Sequence, residues 1–380
     1  MNVLHLLPHT PRVAGYESEA TFFETAEYYD RYCTSLAERG HEVELAYFSR
    51  LEDPPTGDGY RITPLVVDGG NEFGKEISVE SVRYLRNHDA DVLHIHGYHQ
   101  LNVLTLLPSL VTDKKVVFHN HSIGYDTSEL RTRLWYRFLS RSVLRIADHV
   151  ISVNSDELEK LTRYGMSDEK VSYVPNGVDS RLFTPMEQSV ARRALGLPQD
   201  EKMVLFVGRL ERVKGVRTLL KSFAAVRDAH PNARLSLVYG GKDSDEYERL
   251  TAIAADHGIE DAIEWVGRVE RERLPLYYNA ADVCAFPSYE EGCSMVTLEA
   301  MSCGRAIIGT TGHQSGQPLV HGENALVASP GSVADFESYI DRLLIRDDLR
   351  REIARNARDE VLHGFMWDAV AEEIDVIYRE

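Results

Sequence analysis

Short runs of Val, Ile and Leu recur along the chain, separated by longer stretches in which apolar residues return every three or four positions. Unbroken apolar runs of this length predict strands buried on both faces, and the intervening period predicts helices, so the alternation predicts parallel α/β layers. In the first half the predicted strands are "NVLHLL", "EVELAYF", "DVLHIH", "KVVFHN", "HVISV" and "VSYVP"; in the second they are "MVLFVG", "RLSLVYG", "IEWVG", "DVCAFP", "RAIIG" and "NALVA". Two series of similar length predict two similar, doubly wound α/β domains. The rhythm pauses in "PNGVDSRLFTPMEQSVARRALGLPQDEK", where Pro, Gly and Asn gather, which places the boundary near residue 185 and the domains at 1–185 and 186–365. The last segment, 366–380, has helical spacing through Trp367, Val370, Ile374 and Ile377 and could pack back on the first domain.

In open parallel sheets ligands bind beyond the carboxyl ends of the strands, so two such domains are expected to hold their ligand in the cleft between them. Two stretches of the second half carry chemistry at such ends. In "VGRLERVKGVRTLLKSF" Gly208 closes a strand, Arg209 and Lys214 ride on the loop, and Gly215 opens an amphipathic helix. A diphosphate there would meet two cations and the outward N–H groups of a helix start together. Isolated, the two would be ordinary solvated loop cations; glycine on either side, with strand behind and helix ahead, argues for a site. In "ADVCAFPSYEEGCSMVTLEAMSCGRAIIGT" strand, loop, helix and strand follow again. A helix beginning at Met295 puts Glu299 about one turn inside it, with Glu291 and Gly292 just before it, at the end that attracts an anion. Gly292 and Ser294 let the backbone approach a ligand closely. Taken alone, Glu299 would be a helix-surface acid and Glu291 a partner of the helix dipole.

The first half is sparser. His94, His96 and His99 in "DVLHIHGYHQ" and His119 and His121 in "KVVFHNHSIGYD" are expected at strand ends facing the cleft. Clustered histidines suggest a metal, yet these alternate along strands without a carboxylate-rich set beside them, so no metal site is assigned. "DSD" at 243–245 reads as solvated charge in an acidic loop. Aromatics at Tyr16, Phe22, Phe23, Tyr28, Tyr29 and Tyr32 follow the first strand and would either stack on a sugar or lipid or serve the core.

Composition narrows the partners. The chain's 380 residues suit two domains, and 42 Lys and Arg against 60 Asp and Glu give a net charge of -18. Such a surface repels phosphate backbones, so nucleic acid is not expected as a partner, and an anionic ligand needs a locally basic pocket. An acidic excess poor in lysine also fits a salt-rich cytoplasm. Cys33, Cys284, Cys293 and Cys303 lack metal-ligand spacing and read as reduced thiols. The opening "MNVLHLLPHTPRV" is too short in its apolar run and lacks the basic leader of a secretion signal, and no stretch reaches transmembrane length. The expected location is cytoplasmic. Membrane contact would be peripheral, at the inner face, with "SELRTRLWYRFLSRSVLRIADH" as the nearest amphipathic candidate.

The block from Glu291 to Glu299 resembles the "E, seven residues, E" element of retaining glycosyltransferases of the glycosyltransferase-4 group. "GRLERVKGVRTLL" resembles that family's phosphate-clamp loop, "VPNGVDSRLF" its interdomain segment, "VGRVERERLPLYYNAADVCAFPS" the run before the acidic element, and "HGENALVASPGS" the segment after it. In the first half "AERGHEVEL" and "DVLHIHG" look like the matching strand-flanking pieces. The resemblance runs nearly end to end, dense from Pro175 onward and sparse before it.

It implies a GT-B fold, two facing Rossmann-like domains with the active site in the interdomain cleft and a sugar nucleotide held mainly by the second. By position, Arg209 and Lys214 would bind the donor diphosphate, and Glu299 the ribose hydroxyls. Glu291, with the backbone of Cys293, Ser294, Met295 and Val296, would face the transferred sugar, and 266–268, with Arg268, would flank the base. The family places a sugar-facing histidine after the second of the two histidine strands, assigned here to His121 with His119 as the alternative one register step away. The family's paired-glycine loop after the first strand is longer here and offers only Gly15. "GTTGHQSGQPLV" lacks the glutamate often found before the "HGEN" position and offers Gln317 instead. The implied reaction moves a hexose, with retention, from a nucleoside-diphosphate sugar to the hydroxyl of a glycan, lipid or small acceptor. It implies no cofactor, no metal and no protein nucleophile. The alternative function is a sugar-nucleotide sensor or subunit that keeps the site without turnover.

Overall fold

A computed structural model describes residues 1–10, 27–50, 57, 59–69, 78–97, 113–121, 130–138, 147–163, 165–240, 244–313, 316 and 319–380. It divides into two compact units: Met1–Asn176 with Trp367–Glu380, and Gly177–Met366.

The first unit contains β1 (Asn2–Leu7), α1 (Glu27–Glu38), β2 (Glu42–Ser49), β3 (Arg61–Val66), α2 (Val79–Asn87), β4 (Val92–His96), β5 (Lys115–Asn120), α3 (Leu130–Phe138), β6 (His149–Ser152), α4 (Ser155–Arg163) and β7 (Val171–Tyr173). Its strands are parallel in the order β3-β2-β1-β4-β5-β6-β7. Each apolar run named above forms one of them, and β3, "RITPLV", is an addition. Its Pro64 and its polar, partly exposed positions hide it from a search for buried runs; at a sheet edge Pro is tolerated because its missing N–H faces no neighbouring strand. Glu44 of β2 fastens this edge, accepting hydrogen bonds from Thr63 and Tyr84 and pairing with Arg61 at 3.1 Å and His88 at 3.2 Å. Burial pushes the Glu44 carboxyl up, but those hydrogen bonds and the Arg61 charge hold it at about 2.

The helix Trp367–Arg379 belongs to this unit. It buries Trp367, Val370, Ala371, Ile374, Ile377 and Tyr378, and Asp375 meets His41 Nε2 at 2.9 Å. The described chain passes to the second unit after Asn176, ahead of the boundary expected at 185. Residues 177–185 are anchored there: Val178 and Phe183 lie in its core, and Val178 N–H donates to Phe365 O at 2.7 Å.

The second unit contains α5 (Gln188–Leu195), β8 (Lys202–Val207), α6 (Val216–Ala229), β9 (Ala233–Val238), α7 (Ser244–Asp256), β10 (Ile263–Gly267), α8 (Leu274–Ala280), β11 (Val283–Ala285), α9 (Met295–Ser302), β12 (Ala306–Thr310), β13 (Leu326–Ala328), α10 (Val333–Ile345) and α11 (Asp347–Gly364). The order β10-β9-β8-β11-β12-β13, again parallel, reverses direction between β8 and β11. Alternation along β8 serves two cores: Val204 and Phe206 pack with Leu219, Phe223 and Phe336, while Met203, Leu205 and Val207 pack with Tyr278, Leu298 and Ile307. Beneath the sheet the buried pair Arg192–Asp282 (2.9 Å) also takes the Met203 N–H at 2.7 Å, which fixes the start of β8.

Candidate functional site

Three connections leave the carboxyl ends of the central strands of the second unit: 208–215 after β8, 286–294 after β11 and 311–313 after β12. A doubly wound sheet binds ligands at this reversal of strand order. Backbone and side chain stitch the connections together. Tyr289 N–H donates to Val213 O (2.8 Å), Glu291 N–H to Gly312 O (3.0 Å) and the Thr310 hydroxyl to Ser288 O (2.6 Å). Glycine is needed at two crossings: a Cβ on Gly215, at φ +69°, would lie 2.0 Å from Pro287 O, and one on Gly312 would lie 2.2 Å from Tyr289 O.

This stitching brings Lys214 and Glu291 into direct contact. Lys214 Nζ donates to both Glu291 oxygens, at 2.7 and 2.9 Å, and the Ser288 hydroxyl donates to Glu291 Oε1 at 2.7 Å. Glu291 is only 9% exposed. Burial alone would push its carboxyl up; the charges of Lys214 and His313 and the hydrogen bonds from Lys214 and Ser288 together hold it below the usual carboxylate range. Helices α6 and α9 both start at this end of the sheet, after Gly215 and Ser294, so their positive ends add to the field. The family resemblance implies separate ligand roles for Lys214 and Glu291, and their pairing is a property of the fold.

Glu299 is a buried residue of α9, not a surface acid. It accepts from the Tyr278 hydroxyl at 2.7 Å and from Arg271 Nη1 at 3.1 Å, and Arg271 lies over the Phe183 ring at 4.8 Å. Burial and then the Glu299 charge push the Tyr278 phenol well up. Gly292 and Ser294 are buried, while Cys293, Met295 and Val296 are half-buried around the start of α9. Arg209 is exposed and pairs with Glu211 at 3.1 Å on its own loop. Arg268, also exposed, follows β10, which β9 separates from β8. Gly15, His99 and Gln317 lie outside the described residues.

His313 joins the site without being one of the residues expected from the sequence. It ends the turn after β12, is fully buried, and accepts the Thr310 N–H on Nδ1 at 3.3 Å. Burial drives its pKa down to about 4, with Glu291 opposing that shift and Lys214 adding to it. A histidine in a run of Gly, Thr and Ser was the available signal; its proximity to Glu291 was not.

In the first unit, strand register gathers histidines from three strands. His5 pairs in register with His94, and His96 with His119. His5 Nδ1 lies 2.8 Å from His96 Nε2, His96 Nδ1 lies 2.8 Å from His121 Nε2, and His94 Nε2 lies 3.1 Å from His119 Nδ1. The Tyr32 hydroxyl donates to Asn176 Oδ1 at 3.0 Å, so its oxygen accepts from His119 Nε2 at 3.5 Å. That sets the tautomers: His119 Nδ1 accepts from His94 Nε2–H, and His94 Nδ1 from the Tyr378 hydroxyl. Burial first, then mutual repulsion, pushes His94, His96 and His119 well below the usual imidazole range, and burial with the His41 charge lowers His5 to about 3. Alternation along the strands, used above against a metal, does not keep these rings apart: two trios sharing His96 bring ring nitrogens within 4.8 Å of one another. Neither trio includes a carboxylate, and most of these nitrogens already bond to one another. His5 was missed; a lone polar residue inside "NVLHLL" was its signal. His121 and His119 both belong to this network, His121 half-buried and His119 fully buried.

Comparison with known proteins shows the family and the fold. Residues 187–360 match the family model described as glycosyl transferases group 1, and residues 26–182 match glycosyltransferase family 4. A D-inositol 3-phosphate glycosyltransferase of Actinosynnema mirum is 31% identical over 383 residues, covering 91% of this chain and 89% of that protein. One of Acidothermus cellulolyticus is 34% identical over 245 residues, 63% of this chain and 54% of its own length. For that relative and the one from Corynebacterium jeikeium, where the figure is 64%, the matched part spans less than two thirds of the relative's length. Among solved structures, a sucrose-phosphate synthase of Thermosynechococcus elongatus superposes with a TM-score of 0.81 at 23% identity, covering 100% of this chain and 98% of that one. HepE of Anabaena, solved in complex with UDP, gives 0.80 at 18% identity, with 99% of each chain covered. These likenesses show the GT-B fold.

Proposed function

We propose, from the premise that this chain belongs to the glycosyltransferase-4 group of the glycosyl transferases, that it moves a hexose from a nucleoside-diphosphate sugar to an acceptor hydroxyl with retention. The observation that carries the reading is the Lys214–Glu291–Ser288 cluster at the strand-order reversal of the second unit, beside two helix starts. That HepE was solved with UDP and glucose supports a sugar nucleotide as donor. The relatives' name supports a small phosphorylated polyol as acceptor.

In this reading Lys214, already steadied by Glu291, offers its remaining N–H to the departing diphosphate, and Arg209 swings from Glu211 to join it. The starts of α6 and α9 add fixed N–H donors. A nucleoside diphosphate is a capable leaving group, so the protein's work is neutralising it and excluding water, and no metal, cofactor or protein nucleophile is asked of the chain. Glu299 binds the ribose and Arg268 lies by the base, with Gly292, Cys293, Ser294, Met295 and Val296 lining the donor. His121 is assigned to the sugar and Gly15 to the donor loop. The first unit, 1–185 in the sequence reading, takes the acceptor. No helix among the described residues is long and apolar enough to cross a membrane. The α3 helix exposes Leu130, Leu134 and Phe138 at helical spacing beside exposed Arg133 and Arg137, which supports peripheral contact with a membrane at the cytoplasmic face.

The test is nucleotide release from UDP-, GDP- and ADP-sugars with inositol phosphate as acceptor, comparing the parent with Glu291→Ala. One donor is expected to turn over, and the variant is expected to lose about a hundredfold or more. Tight donor binding without release by the parent in any mixture would replace the transferase with the sensor.

A further inference from the structure

A cavity opens in the second unit at the amino ends of β11 and β12. Asp282 precedes β11 and Arg305 precedes β12, whereas the connections carrying Glu291 and His313 leave the opposite ends of those two strands. Together with Gln188 of α5 and with Arg350, Arg351 and Ala354 of α11, these two residues help to line a space of about 190 Å³. That is smaller than the roughly 300–1,000 Å³ of clefts that enclose a drug-sized ligand. Three arginines against one aspartate give the wall a charge opposite to the net -18 of the chain. The aspartate is already matched. Its Oδ2 accepts from Arg192 Nη2 at 2.9 Å and from the Met203 N–H at 2.7 Å, and its Oδ1 accepts from the Gln188 amide at 3.2 Å. The arginines are matched less well. Arg350 pairs with the Asp347 carboxylate at 2.7 Å, but Arg351 donates to Asp347 O at 3.1 Å, a neutral carbonyl. Arg305 is half-buried and also bonds to carbonyls, from Nε to Cys303 O at 3.2 Å and from Nη1 to Asn279 O at 3.3 Å, with no carboxylate paired to it among the described residues. Burial lowers the Arg305 pKa; Cys284, Cys303 and Asp282 oppose that shift, and the Arg350 charge adds to it. A guanidinium drawn away from water without a counter-charge is uncommon, because neutral carbonyls do not return what its hydration was worth.

We propose that this cavity binds a small phosphate-bearing anion, inorganic phosphate or a phosphomonoester, held by Arg305 and Arg351 with Arg350 beside them. The arginines come from two elements, the start of β12 and the first turns of α11, and the ligand completes the counter-charge that the protein leaves out. The chemistry favours phosphate among small anions. Its oxygens point in several directions, so guanidinium forks from a strand and from a helix can each take a pair of them, whereas a carboxylate offers two oxygens in one plane and answers a single fork. The neutral and acidic groups of the wall do not compete for the ion, since Gln188 and Asp282 already bond to each other. The site is independent of the donor-site reading, because none of its residues belongs to the cluster of Lys214, Glu291 and Ser288.

The experiment is calorimetry with inorganic phosphate and with glycerol phosphate, at fixed ionic strength, on the parent, Arg305→Met, Arg351→Glu and Lys214→Met. Met keeps the length of the Arg305 stem without its charge, and Glu reverses the charge of a residue exposed enough for the variant to fold. Arg305→Met and Arg351→Glu are each expected to weaken phosphate binding about tenfold or more. Lys214→Met, changed at the opposite end of the sheet, is expected to keep that binding. Glycerol phosphate bound more tightly than inorganic phosphate would make a phosphorylated small molecule the ligand, and the reverse order would make it the free ion; both support the site. A folded parent that binds neither probe overturns the proposal. So does unchanged affinity in a folded Arg305→Met variant or, where that variant does not fold, in Arg351→Glu. A loss confined to Lys214→Met would put the phosphate at the other end of the sheet and overturn it as well.

Discussion

The contact between Lys214 and Glu291 makes a quantitative claim. Two opposite charges 2.7 Å apart attract by about 6 kcal/mol at an effective dielectric of about 20, much of it already spent on desolvation. Lys214→Met leaves a carboxylate that is nine-tenths buried, with the Ser288 hydroxyl as its remaining side-chain partner among the described residues. Breaking a buried pair from one side costs about 3–5 kcal/mol, and the partial exposure of the Lys214 side chain, 20%, puts this case near the lower end. Glu291→Gln leaves the more exposed partner, which water can reach, so about 1–2 kcal/mol is expected, and the double variant should resemble it. The cycle then yields a coupling of about 3 kcal/mol, equal to the cost of Lys214→Met alone and well above the roughly 0.5 kcal/mol scatter of independent sites. Urea unfolding, followed by hydrogen exchange of peptides from β8 and β11, reads the second unit separately. Acidity supplies an independent signature. In the parent the Glu291 pKa lies below its ordinary 4.5, so its contribution is present above that value and is lost as the pH falls through the folded pKa. In Lys214→Met burial dominates and raises the carboxyl, so the Glu291 contribution reverses sign and is lost as the pH rises through the new pKa. A coupling below about 0.5 kcal/mol, with the parent's pH profile unchanged in the variant, would refute the reasoning.

Two further outcomes test the frame around the site. Gly215→Ala combines a left-handed backbone, φ +69°, with a Cβ 2.0 Å from Pro287 O, so a loss of at least about 2 kcal/mol is expected in the urea midpoint of the second unit. A midpoint within the parent's error would mean that the two connections are not held together as described. In the first unit, the buried neutral histidines have folded pKa values below the ordinary 6.5, down to about 3 for His5, so stability is full above 6.5 and falls as the pH drops toward 3. Urea unfolding at pH 7.5 and 5 should show the first unit markedly weaker at the lower value, with net proton uptake on unfolding; equal midpoints would place those rings in contact with water.

Much of the fold was readable along the chain because an apolar run reports burial without reference to its neighbours. "MVLFVG" or "KVVFHN" must be covered on both faces wherever it lies, and an amphipathic stretch such as "VRTLLKSF" must turn one side inward. The glycines and charges between them mark the strand ends, and with them Lys214, Glu291 and Glu299 as candidates. Periodicity does not say which strand lies beside which. Only the order β9-β8-β11-β12 sets the loop carrying Lys214 against the one carrying Glu291, and adds His313 from a third. The same limit hid β3, whose Pro64 is acceptable only because the strand lies at the edge, and it hid the inward turn of Glu299, whose partners Tyr278 and Arg271 come from the preceding helix and turn. The histidine cluster shows the reason most plainly. A polar side chain is stable in a core only when a partner meets it, and the partners of His5 arrive from a strand about ninety positions away, through a register that only the assembled sheet decides.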